Sequence, residues 1–246
     1  MTDEDLAAEL ASGAGRLLIK LMRARRSGLL PDDVGPGFAD KAANKYILDA
    51  LAEARPNDAV LSEECPDDPA RLANARCWIV DPLDGSKEYE EGRHDWAVHV
   101  ALSIEGRPAI GAVAVPALER VFRSDGSLPA VVARDRPVIV ISRNRPPELA
   151  HALAAELGAE LRQLGSAGAK AMSVVAGESS LYFHTGGQHQ WDNCAPVAVA
   201  LGLGLHGSRI DGSPLVYNGP DLEMPDVLIG RPELADRAIA FLRGKC

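Results

Sequence analysis

Glu63, Asp81, Asp84 and Asp192 stand at the ends of apolar runs or the starts of helical ones, where side chains from distant parts of a chain can meet. The densest pattern is Trp78-Ile-Val-Asp81-Pro-Leu-Asp84-Gly-Ser86. An apolar strand delivers Asp81 at its end, and Pro82 keeps that residue extended. Gly85 permits a sharp turn and a close ligand approach. Ser86 suits the N-cap of a short helix running through Tyr89. Two carboxylates beside a free helix N-terminus offer ligands to a hard cation and donors to a phosphate. An EF-hand does not fit, because its third position is acidic and here it is Leu83. Asp, Pro and Gly also make ordinary turns, and that reading stands beside the chemical one.

Three weaker elements accompany this stretch. Leu61-Ser62-Glu63-Glu64 places adjacent carboxylates after a short apolar strand, although such pairs are common on solvated surfaces. In Gln190-Trp191-Asp192-Asn193-Cys194-Ala195-Pro196, Asp192 opens an apolar helix, where a simple N-cap is the plainer reading. Asp40, in Phe38-Ala39-Asp40-Lys41, sits at another helix start. Two unit charges about 4 Å apart repel by about 1 kcal/mol in water and about 4 at an effective dielectric near 20. A convergence of several carboxylates therefore calls for cations. All-oxygen ligation selects Mg2+, Mn2+ or Ca2+ over zinc or copper.

The elements that must position these residues follow from periodicity. Thr2 to Arg26 reads as an amphipathic helix, with Leu6, Leu10, Leu17, Leu18 and Leu21 near helical spacing and end charges that suit the macrodipole. Gly28 and Pro31-Asp-Asp-Val-Gly-Pro-Gly break it, and a second helix is expected from about Ala39 to Ala54. Strands are expected at Ala59–Leu61, Cys77–Asp81, Ala97–Glu105 and Ala109–Val115, with another β run after the Ser124–Pro129 loop. Beyond it strands and helices alternate: Val138–Ser142, Pro146–Leu157, Leu161–Leu164, Ala169–Ala176, Leu181–His184, Asp192–Leu203, Val227–Ile229 and Pro232–Leu242. Such an order argues an α+β or α/β protein in two lobes.

Composition narrows the function. The 246 residues are 46% hydrophobic and 25% charged, an ordinary globular balance. The net charge of −9 argues against a nucleic-acid polymer as partner. It permits an anionic small molecule where divalent cations intervene. Apolar runs such as Trp96–Ile104 are too short to insert into a membrane. The acidic Met1-Thr-Asp-Glu-Asp start lacks the pattern of a secretory signal, so a cytoplasmic protein is expected. Cys65, Cys77, Cys194 and Cys246 form no CxxC pair and read as buried or incidental thiols. No Gly-x-Gly-x-x-Gly, P-loop or Gly-x-Ser-x-Gly elbow is present.

Asp81-Pro-Leu-Asp84-Gly-Ser86 resembles the Asp-Pro-(Ile/Leu)-Asp-Gly-(Thr/Ser) signature of the inositol monophosphatase superfamily, the lithium-sensitive, Mg2+-dependent phosphatases. Ser62-Glu63-Glu64 is similar to its Gly/Ser-Glu-Glu motif, and Trp191-Asp192-Asn193-Cys194-Ala195 to its Trp-Asp-x-x-Ala motif. Gly165-Ser166-Ala-Gly-Ala-Lys170 resembles the Gly-Ser-x-x-Lys segment of the CysQ-type 3′-phosphoadenosine-5′-phosphate phosphatases, with one more residue between the Ser and the Lys. On the residues alone, Lys170 also reads as a surface lysine on a helix.

The resemblance implies a layered αβαβα sandwich in two lobes, 1–135 and 136–246, with the metal site between them. It implies that Glu63, Asp81, Asp84, Asp192 and the Leu83 carbonyl hold two or three Mg2+ ions, with Mn2+ a substitute and Li+ an inhibitor. Glu63, Ser86, Asp40 and Asp84 would serve catalysis, the first three by orienting or deprotonating a water. Gly85 and Ser86 N–H groups would hold phosphoryl oxygens, while Ser166, Lys170 and Asp192 would contact substrate. The implied reaction converts 3′-phosphoadenosine 5′-phosphate to AMP and phosphate, clearing a by-product of sulfate activation, and a homodimer is the family's expectation. The alternatives are an inositol-1-phosphate or fructose-1,6-bisphosphate phosphatase, and a metal- or phosphate-binding module without turnover. Ser86 stands for the commoner Thr, and Leu29–Phe38 lacks the usual Val-Thr-x-x-Asp run.

Overall fold

The computed structural model describes residues 1–29, 35, 37–128 and 136–245. Helices α1 (Asp3–Arg26) and α2 (Phe38–Ala54) precede a sheet whose strands β1 (Ala59–Ser62), β2 (Arg76–Asp84), β3 (Ala97–Ile104), β4 (Arg107–Val115) and β5 (Arg120–Arg123) lie in sequence order. Only β1 and β2 pair in parallel; the other neighbours are antiparallel. A short helix, α3 (Ser86–Glu90), follows β2.

The second sheet has the order β7-β6-β8-β10-β9, from β6 (Val138–Ser142), β7 (Glu160–Leu164), β8 (Leu181–His189), β9 (His206–Ser208) and β10 (Glu223–Gly230). Its helices are α4 (Ala150–Leu157), α5 (Ala167–Val175), α6 (Gln190–Gly202) and α7 (Pro232–Leu242).

Period-two burial sorts the strands into layers. Along β2, Trp78 and Val80 join α1 and α2 in one core, while Cys77 and Ile79 face the opposite way. Along β8, Tyr182 faces α5 and α6, whereas Leu181 and Phe183 pack with α4 and α7. The central core therefore lies between the two sheets, with α5 and α6 inside it. The order is α1/α2, sheet, α5/α6, sheet, α4/α7, the layered sandwich expected. Helix α1 holds its place through Leu6, Leu10, Ala14 and Leu18, all at most 4% exposed. Thr2 caps it by accepting from Asp5 N, a bond that satisfies one of the orphan N–H groups of the first turn.

Several boundaries differ from expectation for physical reasons. The helix expected from Pro146 begins at Ala150, because Pro146 and Pro147 cannot donate and the Pro147 carbonyl accepts from Ala150 N. Strand β8 runs on to His189 because Glu223–Met224 of β10 pairs with it. Strands β5 and β9 were not expected; β5 reads Arg-Val-Phe-Arg and β9 His-Gly-Ser, neither an apolar run. The β run expected beyond Pro129 falls outside the described residues, as does most of the Leu29–Phe38 loop. The division expected at 135/136 borders residues 129–135, which lie outside the described residues. Among the described residues no helix is long and apolar enough to cross a membrane. Cys77 and Cys194 are buried free thiols and Cys65 is an exposed one.

Candidate active site

The end of β2 explains why two aspartates three residues apart can act together. In a regular strand Asp81 and Asp84 would point to opposite faces. Here Asp81 pairs with His99 but Asp84 pairs with Ala97, so β2 carries one extra residue against β3. That bulge returns Asp84 to the inner face that Asp81 already occupies. Asp81 stabilises the bulge by accepting from Leu83 N at 3.0 Å. Both aspartates are buried.

Parallel pairing of β1 with β2 sets Ser62 against Val80, which brings the following Glu63 beside Asp81. Ser62 is anchored from α2 by Asn44, whose Oδ1 accepts from Ser62 Oγ at 2.7 Å. One turn earlier on α2, Asp40 Oδ1 accepts from Ser86 Oγ at 2.7 Å. Ser86 Oγ is also 3.1 Å from the Leu83 carbonyl. Thus α2 fixes both flanks of the acidic turn through Asp40 and Asn44. Gly85, not Ser86, is the N-cap of α3, with φ +90°. A Cβ there would lie 2.9 Å from Ser166 Cβ, so the turn requires glycine by conformation and by space.

The other side of the site comes from the second half of the chain. Strand β8 leads directly into α6, and Asp192 lies in its first turn rather than at the N-cap, which is His189. Asp192 Oδ2 accepts from His189 N, a placement that also suits the positive end of the helix. Carboxylate oxygens of Asp81, Asp84 and Asp192 all lie within 4.8 Å of one another. Asp84 is further held by the start of α5: Oδ1 accepts from Ala167 N at 3.2 Å and Oδ2 from Gly168 N at 2.6 Å.

The electrostatics match a site built for cations. Burial, and then the charges of Glu63, Asp84 and Asp192, raise Asp81 well above the usual carboxylate range. Burial of its carboxyl pushes Glu63 up to about 7, Asp192, Asp84 and Glu64 adding to the rise and Asp81 opposing it, although the residue as a whole is exposed. Burial alone would raise Asp84, but His99, Lys170 and the α5 amides hold it below its ordinary value. Divalent cations would replace the protons that this crowding demands. The donors are all oxygen, so a hard ion fits and a thiophilic one does not.

Two of the expected substrate contacts, Ser166 and Lys170, have local duties. Ser166 is the N-cap of α5, its Oγ accepting from Ala169 N at 2.9 Å. Lys170 is only 3% exposed, not a surface lysine. Its ammonium donates to the carbonyls of Gly165 and Ser166, and burial pushes it down to about 8. Asp95 grips the same loop from the other side, Oδ2 accepting from Gly165 N at 2.7 Å. Glu88 crowds Gly165 so closely that a Cβ there would meet its Cδ at 2.3 Å.

Sequence reasoning missed His99, Asp95 and Gly168. His99 is wholly buried, its Nδ1 3.0 Å from the Trp191 carbonyl and its Nε2 3.2 Å from Asp84 Oδ2. The second approach is a charge contact whose angle falls short of a formed hydrogen bond. Burial works against a charged ring, yet Asp84 and the Trp191 carbonyl raise His99 above its ordinary value. The signal for it was a histidine inside Ala97-Val-His-Val-Ala101, an otherwise apolar strand.

An acidic, all-oxygen cluster thus lies between the two sheets, with the N-terminal turns of α5 and α6 beside it. The chain belongs to the inositol monophosphatase family, whose sequence model matches residues 7–244. A 3′-phosphoadenosine 5′-phosphate phosphatase of Mycobacterium leprae (strain TN) is 44% identical to it, over 99% of this chain and 94% of that protein. The 3′(2′),5′-bisphosphate nucleotidase CysQ of Escherichia coli (strain K12) is 34% identical, over 87% and 93%. Among solved structures, CysQ from Bacteroides thetaiotaomicron superposes with a TM-score of 0.78 at 26% identity, covering 93% of this chain and 97% of that one.

Proposed function

We propose that this chain hydrolyses the 3′-phosphate of 3′-phosphoadenosine 5′-phosphate, giving AMP and inorganic phosphate, with Mg2+ held by Glu63, Asp81, Asp84, Asp192 and the Leu83 carbonyl. The observation that carries the reading is the meeting of Asp81 and Asp84 with Asp192 from the other half of the chain. The likeness to phosphatases of that substrate, at 44% and 46% identity, supports the choice of ester.

Bound Mg2+ supplies Lewis acidity toward a water nucleophile and toward the phosphate. The chain's own groups do the rest. Ser86 Oγ, fixed by Asp40, orients the water for in-line attack on phosphorus. Glu63, set beside Asp81 by the pairing of β1 with β2, takes a proton from that water. The P–O bond to the ribose breaks, and the leaving oxygen ends as the 3′-hydroxyl. The N–H groups of Gly85 and Ser86 hold phosphoryl oxygens. Lys170 spends two ammonium hydrogens on the carbonyls of Gly165 and Ser166. Lys170, through its third ammonium hydrogen, and Ser166 would contact the nucleotide.

A panel under one condition tests this: 3′-phosphoadenosine 5′-phosphate, inositol 1-phosphate and fructose 1,6-bisphosphate, each with Mg2+ and with excess chelator. The highest kcat/KM is expected on the nucleotide, with all turnover lost on chelation. Preference for either sugar or cyclitol ester would move the assignment within the family. Mg2+ binding with no turnover of any ester would leave a binding module.

A further inference from the structure

We infer that His99 is a positioning residue that ties Asp84 to the start of α6, so that Asp84 and Asp192 keep the separation a shared divalent ion requires. The inference rests on the metal-dependent reading above.

The geometry is direct. His99 lies on β3 opposite Asp81, on the inner face. A carbonyl oxygen can only accept, so Nδ1, 3.0 Å from the Trp191 carbonyl, carries a hydrogen and donates it. Trp191 immediately precedes Asp192. At the other end of the ring, Nε2 is 3.2 Å from Asp84 Oδ2. One rigid, fully buried ring thereby spans a ligand on β2 and the backbone that carries a ligand on α6.

Its surroundings leave it little freedom. Along the inner face of β3 the flanking residues are Ala97 and Ala101, both small and both 0% exposed. Helix α5 closes over the ring at Gly168, where an added Cβ would lie 2.2 Å from Nε2 and 3.1 Å from Asp84 Oδ2. A purely structural role would be served better by an apolar side chain, because burying an imidazole costs free energy unless its nitrogens find partners. An imidazole can donate from Nδ1 to the Trp191 carbonyl while its Nε2 edge rests against Asp84, which an apolar side chain cannot do.

Groups packed behind metal ligands, those of ligating carboxylates included, typically carry ten- to a hundred-fold in metal affinity, on the order of 1.4–2.7 kcal/mol. The test is a Mn2+ titration of the apo-protein, followed by loss of the free-ion electron paramagnetic resonance signal and so independent of turnover. His99→Leu removes both links, and its Mn2+ affinity is expected to fall by about ten- to a hundred-fold. His99→Gln keeps a donor and should fall in between. Unfolding temperatures in chelator separate this from general damage: His99→Gln should stay close to wild type. Wild-type affinity in His99→Leu overturns the inference. If His99→Leu does not fold, His99→Gln decides, intermediate weakening supporting the role and unchanged affinity refuting it. A wild-type protein that binds no Mn2+ would instead overturn the metal reading itself.

Discussion

The first half of the molecule builds most of its share of the site from one short stretch of chain, whereas the second half contributes groups scattered over sequence. Asp81, Leu83, Asp84, Gly85 and Ser86 run from the end of β2 into α3, with Glu63 added from the end of β1, and a single bulge turns Asp84 to the face that Asp81 occupies. On the other side, Asp192 arrives on α6, Ala167 and Gly168 offer amides from α5, and Lys170 reaches back to the loop before it. The first arrangement concentrates ligands. The second mostly restrains them. Contiguous residues can supply chemistry through local backbone geometry, but the spacing between ligands has to be imposed by packing from elsewhere.

Substitutions on the two sides should therefore fail differently. Removing a ligand at the β2 end should abolish the chemistry and spare the fold. Asp84→Asn is expected to lower kcat by about a thousand-fold, the several kcal/mol that metal-assisted stabilisation supplies, with near-normal circular dichroism. A variant with wild-type turnover would refute the role of that turn. Ser86→Ala loses the bond to Asp40, and a drop of about 10²-fold in kcat is expected. Ser86→Thr keeps the hydroxyl and should retain most activity; equal damage from both would break the link between that hydroxyl and turnover.

On the restraining side, stability and activity should fall together. Gly168→Ala pushes a methyl into His99, 2.2 Å from Nε2. Overpacking of this kind costs about 1–3 kcal/mol, which chemical denaturation can measure alongside a reduced kcat. Loss of activity with unchanged stability would remove the distinction between the two sides. Lys170→Met should reduce turnover of both the nucleotide and inositol 1-phosphate by loosening the loop, with the larger fall on the nucleotide. Equal losses would confine Lys170 to positioning.

The smallest effect concerns pH without metal. A carboxyl whose value is raised from 4.5 to about 7, as Glu63 is, binds protons better in the folded state over that interval. Apo-protein stability should then fall as pH rises through it, because the native state must give up protons that the unfolded chain has already lost. Mg2+ should flatten the slope. Thermal unfolding across that window, in chelator and in Mg2+, checks the sign.

What could be read from the sequence follows the same division. Glu63, Asp81, Asp84 and Asp192 stood out because each ends a strand or begins a helix, and most element positions followed from periodicity. The bulge was invisible, since the pairing of Asp81 with His99 and Asp84 with Ala97 is a property of two strands at once. Ser86 was expected at the N-cap and Gly85 occupies it, because the turn needs positive φ one residue earlier. Lys170 read either as a nucleotide contact or as a surface lysine; its burial under Gly165 and Ser166 depends on how α5 enters between the sheets. His99 sat within a strand whose neighbours all spoke for core, and its partners come from the bulged end of β2 and from α6.

The central claim is that carboxylates from both halves of the chain share divalent ions. Anomalous scattering from a crystal soaked in Mn2+ tests it most directly. Peaks are expected among Glu63, Asp81, Asp84 and Asp192, with at least one ion touching both Asp84 and Asp192. Saturating Mn2+ with no peak there, or with ions bound only at other carboxylates, would contradict it.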